Sequence, residues 1–233
     1  MSDLMMPLFY FLLTILVYLA AVHLQRRIEH PLLNPVLITL LVLVCLLLGL
    51  GIPYVDYQAG GHWLSDLLAP SVVALGVPLY KQIKQIKREL PGVLLVVALA
   101  TIFALTSTVV LAILVGAEAE IAISLAPKSV TTPIAVMIVE QMQGEPSLGA
   151  LAVIVTGLLG AIAGIPLLNL MGIREPKSRG IAMGTACHAL GTARIVQEGG
   201  EQGAYSALAL VLSATISAIL APILVPLILQ WII

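Results

Sequence analysis

Lys128 is the residue of this chain best placed to do chemistry. It stands between Pro127 and Pro133 inside a long apolar run and is followed by Ser129, Thr131 and Thr132. A cation at membrane depth is costly unless it meets a carboxylate, a ligand or water. Proline removes a backbone donor and disfavours helix in the residue before it, so two prolines this close favour an unwound stretch. One cation, three hydroxyls and freed backbone groups would together seat a small carboxylate. The plainer reading is a lysine near the interface, snorkelling to lipid phosphates. The apolar residues before it favour the binding site.

A second constellation is GTACHALGTAR at 184–194. On a helix, Thr185, His188 and Thr192 would share one face, with Arg194 near its end. Gly184 and Gly191 flank His188 and leave room for close backbone approach. A neutral histidine there would shuttle a proton or bond a substrate oxygen. The plainer reading is a polar helix face satisfied within a bundle. Asn34 and Ser71 are weaker, supporting candidates. Asn34 precedes Pro35 and suits a helix cap, which would explain it without any function. Ser71 lies in LAPSVVALGVP at 68–78, which echoes LAPKSVTTP at 125–133, and so takes the place that Lys128 has in the second run. Glu118 and Glu140 could pair with Lys128, but they stand near turns where exposed carboxylates are the expectation.

No enzyme signature is present: no GxSxG, no HExxH, no phosphate-cradling loop. Cys45 and Cys187 lie in separate apolar stretches without metal-ligand or disulfide spacing, and read as buried free thiols. The expectation is a protein that is not an enzyme and carries no metal or cofactor.

The elements that must position these residues are membrane helices. The 233 residues are 60% hydrophobic and only 10% charged, with a mean hydropathy of +1.10. A soluble domain carries about 25% charged residues, and lipid supplies the apolar surroundings this chain needs. A net charge of -1 gives no reason to expect nucleic acid. Apolar runs suited to spanning occupy 7–24, 35–52, 63–80, 90–115, 147–171, 179–196 and 205–232, with the last bent or split by Pro222 and Pro226. The broken run 121–142 reads as re-entrant. YVDYQAGGH at 54–62 reads as a polar turn, and KQIKQIKRE as a basic interfacial segment. Basic loops at 26–27, 81–88 and 174–179 should face the cytoplasm. The first residues lack a basic region, so the first helix is retained rather than cleaved as a signal peptide. The N-terminus is then outside and the C-terminus inside, with seven spans preferred over eight. The fold class expected is an all-α polytopic membrane protein, one transmembrane domain over 1–233. Paired proline-broken runs point to a transporter-like internal repeat with halves of about 7–115 and 119–232.

APKSVTTPIA at 126–135 and MGTACHALGTAR at 183–194 closely resemble the two signature stretches of the LrgB/CidB family. HPLLNP at 30–35 and APSVVALGVPLY at 69–80 fit the same pattern, so the resemblance covers nearly the whole chain in order. It implies a bacterial cytoplasmic (inner) membrane protein with a small LrgA/CidA-type membrane partner. It also brings two functions. One is a carrier for small organic acids such as glycolate, lactate or pyruvate, which the buried cation favours. The other is antiholin-like control of murein hydrolase export or activity. The partners expected are the lipid bilayer, a small carboxylate, the LrgA/CidA-type protein and further copies of the chain in a homo-oligomer.

Overall fold

The computed structural model describes residues 2–28, 33–67, 70, 80 and 83–232. All its regular structure is helical, and the chain divides into two compact units, residues 1–74 and 75–233.

In the first unit, α1 (Ser2–Ile28) packs against α2 (Pro35–Leu50) and α3 (Tyr54–Asp66). Asn34 caps α2: its side-chain oxygen accepts from the backbone N–H groups of Val36 at 2.9 Å and Leu37 at 3.3 Å. The helix ends at Gly51, which takes the left-handed conformation at φ 64° that glycine adopts without strain. The segment expected as a polar turn at 54–62 is instead the start of α3. Its aromatic residues explain the difference. Tyr57 bonds Thr14 of α1 at 2.9 Å and stacks edge-on with Tyr10. Trp63 meets Phe11 in the same way. Gly60 permits this approach, because a Cβ there would strike the backbone of Pro7 and Phe11. Tertiary packing of one face thus overrides the local polarity.

The second unit holds α4 (Ile83–Leu114), α5 (Ala119–Leu125), α6 (Thr132–Gln141), α7 (Pro146–Leu170), α8 (Pro176–Ile195), a 3-10 turn (Val196–Glu198) and α9 (Gly200–Ile232). The basic segment around 83–88 is the first part of α4. α9 runs unbroken through Pro222 and Pro226. Ala221 and Val225 beside them belong to a buried cluster shared with α4 and α6, and such packing holds a helix whose prolines have removed two hydrogen bonds. The break in the 121–142 run takes in Pro127 and ends just before Pro133, from Ala126 to Thr131. After α6 the chain comes back to α5, where the Glu145 N–H donates to Ser124 Oγ at 2.7 Å.

The core of this unit has one cluster around Leu105, Val109, Val130, Ile138 and Val225, another around Val97 and Tyr205, and a third around Met183 and Ile195. The outer faces are apolar as well. Phe103, Leu114, Leu159 and Leu170 are all well exposed, as surfaces facing lipid should be. Among the described residues four helices are long and apolar enough to cross a membrane: Met5–Ile28, Lys87–Leu114, Pro146–Leu170 and Gly200–Ile232. α2 is equally apolar but shorter, at 16 residues. The chain is an all-α, multi-pass membrane protein. Most of the run expected to span 63–80 lies outside the described residues.

Candidate functional site

Among the described residues of the second unit, two interruptions of helix fall in the stretches singled out by their residue types. The first is the turn from Ala126 to Thr131. Within it, Lys128 N–H bonds Leu125 O and Val130 N–H bonds Pro127 O, both at 3.2 Å. The second is inside α8 at His188, whose φ of 43° and ψ of -138° are not helical. A non-glycine residue in that region is strained and persists only where its surroundings hold it. Here the hold is visible. His188 Nε2 lies 2.9 Å from the carbonyl of Val153 in α7. A carbonyl only accepts, so Nε2 carries the proton, and the buried Nδ1 has no hydrogen-bond partner.

Between these breaks lies a small cavity lined by Thr101 of α4, Ser129 of the turn, Thr185 of α8, and Ser213 and Ser217 of α9, with apolar walls that include Leu105 and Pro127. It has room for about one water molecule. Thr101 and Thr185 are almost fully buried, and neither hydroxyl finds a partner. Lys128 is half-buried beside this region. Among the described residues no carboxylate forms an ion pair with it.

Of the residues expected at a site, the structure therefore brings Ser129 and Thr185 to one cavity, with Lys128 next to Ser129 in the chain. Thr131 precedes α6 and Thr132 begins it, and neither lines the cavity. Thr192 bonds the His188 carbonyl at 2.9 Å and Ser206 Oγ of α9 at 2.8 Å. Thr185 and Thr192 stand on opposite sides of the break, so the shared helical face expected for them with His188 is interrupted. Arg194 pairs with Glu198 at 3.0 Å near the end of α8. Gly184 lies against the backbone of Ser206, and Gly191 against the carbonyl of Met183. Asn34 caps α2 in the first unit, and Ser71 lies outside the described residues.

Thr101, Ser213 and Ser217 are not among the residues that type and spacing single out in the sequence. Their signal was present but weak: Ser213 and Ser217 are four residues apart, on one face of an otherwise apolar helix. Arg179, where the basic loop 174–179 meets the run 179–196, lies in α8 and is buried, donating to Asn169 Oδ1 at 2.7 Å, the Ile173 carbonyl at 2.9 Å and Gln202 Oε1 at 3.0 Å. Nearby, Lys177 donates to Glu89 at 2.5 Å, and the other oxygen of Glu89 accepts from Tyr205. This bond holds the Lys177 ammonium above the usual lysine range. The three residues tie together α4, α8 and α9 at one end of the unit.

The sequence matches the LrgB-like family over residues 14–227. It is 36% identical to protein YwbG of Bacillus subtilis over 202 residues, covering 87% of this chain and 90% of that one. It is 32% identical to the holin-like protein CidB of Staphylococcus epidermidis over 214 residues, covering 92% and 93%. The CidB of Staphylococcus aureus is similar to the same extent. No solved structure matches the chain. With its helical, multi-pass architecture and a family match over nearly its whole length, the chain belongs to the LrgB family.

Proposed function

We infer that the chain is a holin-like protein of the bacterial cytoplasmic membrane that modulates the export or activity of murein hydrolases, working with a small LrgA/CidA-type partner. The similarity to CidB carries this reading, because it runs through 92% of this chain and 93% of that one. Such coverage leaves little of either protein without a counterpart in the other. On this reading the chain is not an enzyme, its N-terminus is outside and its C-terminus is inside. Of the two functions drawn from the sequence, the comparisons thus support the regulatory one more than the carrier.

One structural observation supports a second reading, a carrier of small carboxylates. Two breaks in helices, at 126–131 and at His188, flank buried unpartnered hydroxyls beside a lysine. Carriers place substrates at discontinuous helices of this kind. Lys128 would neutralise the carboxylate, and Ser129 beside it would orient it outside the cavity, which is too small to hold one. His188 would offer hydrogen bonding or proton coupling, and Thr131, Thr132, Thr192 and Arg194 would act from further out. A transporter-like repeat belongs with this reading, though its first broken segment lies mostly outside the described residues. The two functions are compatible if a change in metabolite flux alters wall lysis.

Deleting the gene and restoring it as wild type or Lys128→Met tests both. The regulatory reading expects deletion to change murein hydrolase release, and Lys128→Met to restore the normal level only when the partner is present. Unchanged hydrolase release after deletion would sink it. Proteoliposomes holding the purified chain should be assayed with labelled glycolate, lactate and pyruvate. Saturable uptake lost in Lys128→Met supports the carrier. No uptake above empty vesicles, with or without a proton gradient, removes it.

A further inference from the structure

We propose that the hydroxyl-lined cavity between α4, the 126–131 turn, α8 and α9 is a binding site for a monovalent alkali cation, with Na+ the best fit. Three observations carry this. The first is that the polar lining consists only of neutral oxygens: Thr101, Ser129, Thr185, Ser213 and Ser217. Calcium and magnesium are held with the help of carboxylates, and transition metals by imidazole or thiolate. None of these groups lines the cavity. Neutral oxygens in a dry setting suit a cation of single charge, as they do in membrane transporters and channels.

The second observation concerns protons. Ser213 Oγ already donates its only proton to the Leu210 carbonyl at 3.1 Å, so it can offer the cavity lone pairs alone. Thr101 and Thr185, with exposures of 3% and 6%, have hydroxyls without a partner. An unsatisfied buried hydroxyl is unfavourable, and native structures generally leave one only where something else completes it. Neither threonine hydroxyl has a hydrogen-bond partner in the protein, so nothing competes with a cation for its lone pairs. The third is size. Room for about one water accepts a bare small cation, whereas a carboxylate with its carbon does not fit. Lys128 carries a like charge in the same region, so binding should be weak and should need a compensating anion or high Na+. The site is independent of which function the chain serves.

The experiment is thermal unfolding of the purified full-length protein in lipid nanodiscs. NaCl would be titrated against choline chloride at constant ionic strength, with KCl and LiCl in parallel. A ligand that binds only the folded state raises the unfolding temperature in a saturable manner. Na+ should do so at lower concentration than K+. Thr101→Val and Thr185→Val should unfold at a higher temperature than wild type in choline, because each removes an orphaned hydroxyl, and should lose the response to Na+. Identical unfolding of the wild type in Na+, K+ and choline would overturn the proposal and leave the cavity to an ordered water. A Na+ response that survives in the double variant would also overturn it, by placing the cation elsewhere. Should either valine variant fail to insert, binding of radioactive Na+ to wild type and Ser213→Ala gives the same decision. Loss of counts in the variant supports the site, and undiminished counts reject it.

Discussion

At the residue scale, His188 combines a polar ring with a backbone that a side chain rarely adopts. Its φ of 43° lies in the region where glycine is at ease, and its ring is held by the Val153 carbonyl across the α7–α8 interface. The strain and the bond act in opposite directions on stability. This gives a test that separates them. In an ordinary helix interior, alanine is better than glycine by about 1 kcal/mol. At position 188 the order should reverse, with His188→Gly more stable than His188→Ala by about 1 kcal/mol. Thermal unfolding of the two variants in the same lipid measures it. If alanine proves the more stable, the break in α8 is not held as the backbone indicates.

At the element scale, α7 and α8 approach through a row of glycines, each against a different neighbour. A Cβ at Gly160 would overlap Cys187, a short side chain with nowhere to go. At Gly164 it would press on the sulfur end of Met183, which can swing aside. At Gly184, on the opposite side of α8, it would strike the Ser206 carbonyl of α9. Overpacking a tight contact costs about 1–3 kcal/mol. Gly160→Ala and Gly184→Ala should therefore destabilise the protein by about that amount, and Gly164→Ala by clearly less. Equal losses at all three would show that Met183 does not swing aside, and negligible losses would show that the helices separate freely. The half-helices α5 and α6 belong to this scale too, because the turn that carries Lys128 and Ser129 exists only where their two axes fail to join.

At the scale of the whole molecule, the link between Glu89, Lys177 and Tyr205 gathers α4, α8 and α9 at one end of the second unit. Its dependence on pH follows from the bond to Glu89, which raises Lys177 above the ordinary value of 10.5. A folded pKa above the unfolded one gives stability that is complete below the unfolded value and is lost as pH rises through the folded one. Thermal unfolding should therefore be insensitive to this link through neutral pH and fall in the alkaline range above the ordinary lysine value. Lys177→Met should flatten that alkaline fall relative to wild type. An equal fall in the variant would show that the link does not hold the three helices. The effect should be modest, since the pair is partly exposed and surface ion pairs are weak.

Composition alone determined that this chain lives in a bilayer, because 60% hydrophobic and 10% charged residues cannot make a water-facing surface. Prolines 127 and 133 likewise announced the break around Lys128, since proline acts on its own backbone and on its immediate neighbour. These are local effects, and they can be read locally. Other features depend on partners far along the chain. Residues 54–62 look like a turn, yet they form a helix because Tyr57 and Trp63 find α1. Pro222 and Pro226 look like breaks, yet α9 passes through them. His188 looked like one face of a regular helix, and only contact with Val153 of α7 shows why the helix departs there. The cavity drew Thr101, Ser129, Thr185, Ser213 and Ser217 from four separate elements, and no spacing within one helix can bring them together. Tertiary structure decided that, because each of these hydroxyls is placed by the packing of apolar residues around it.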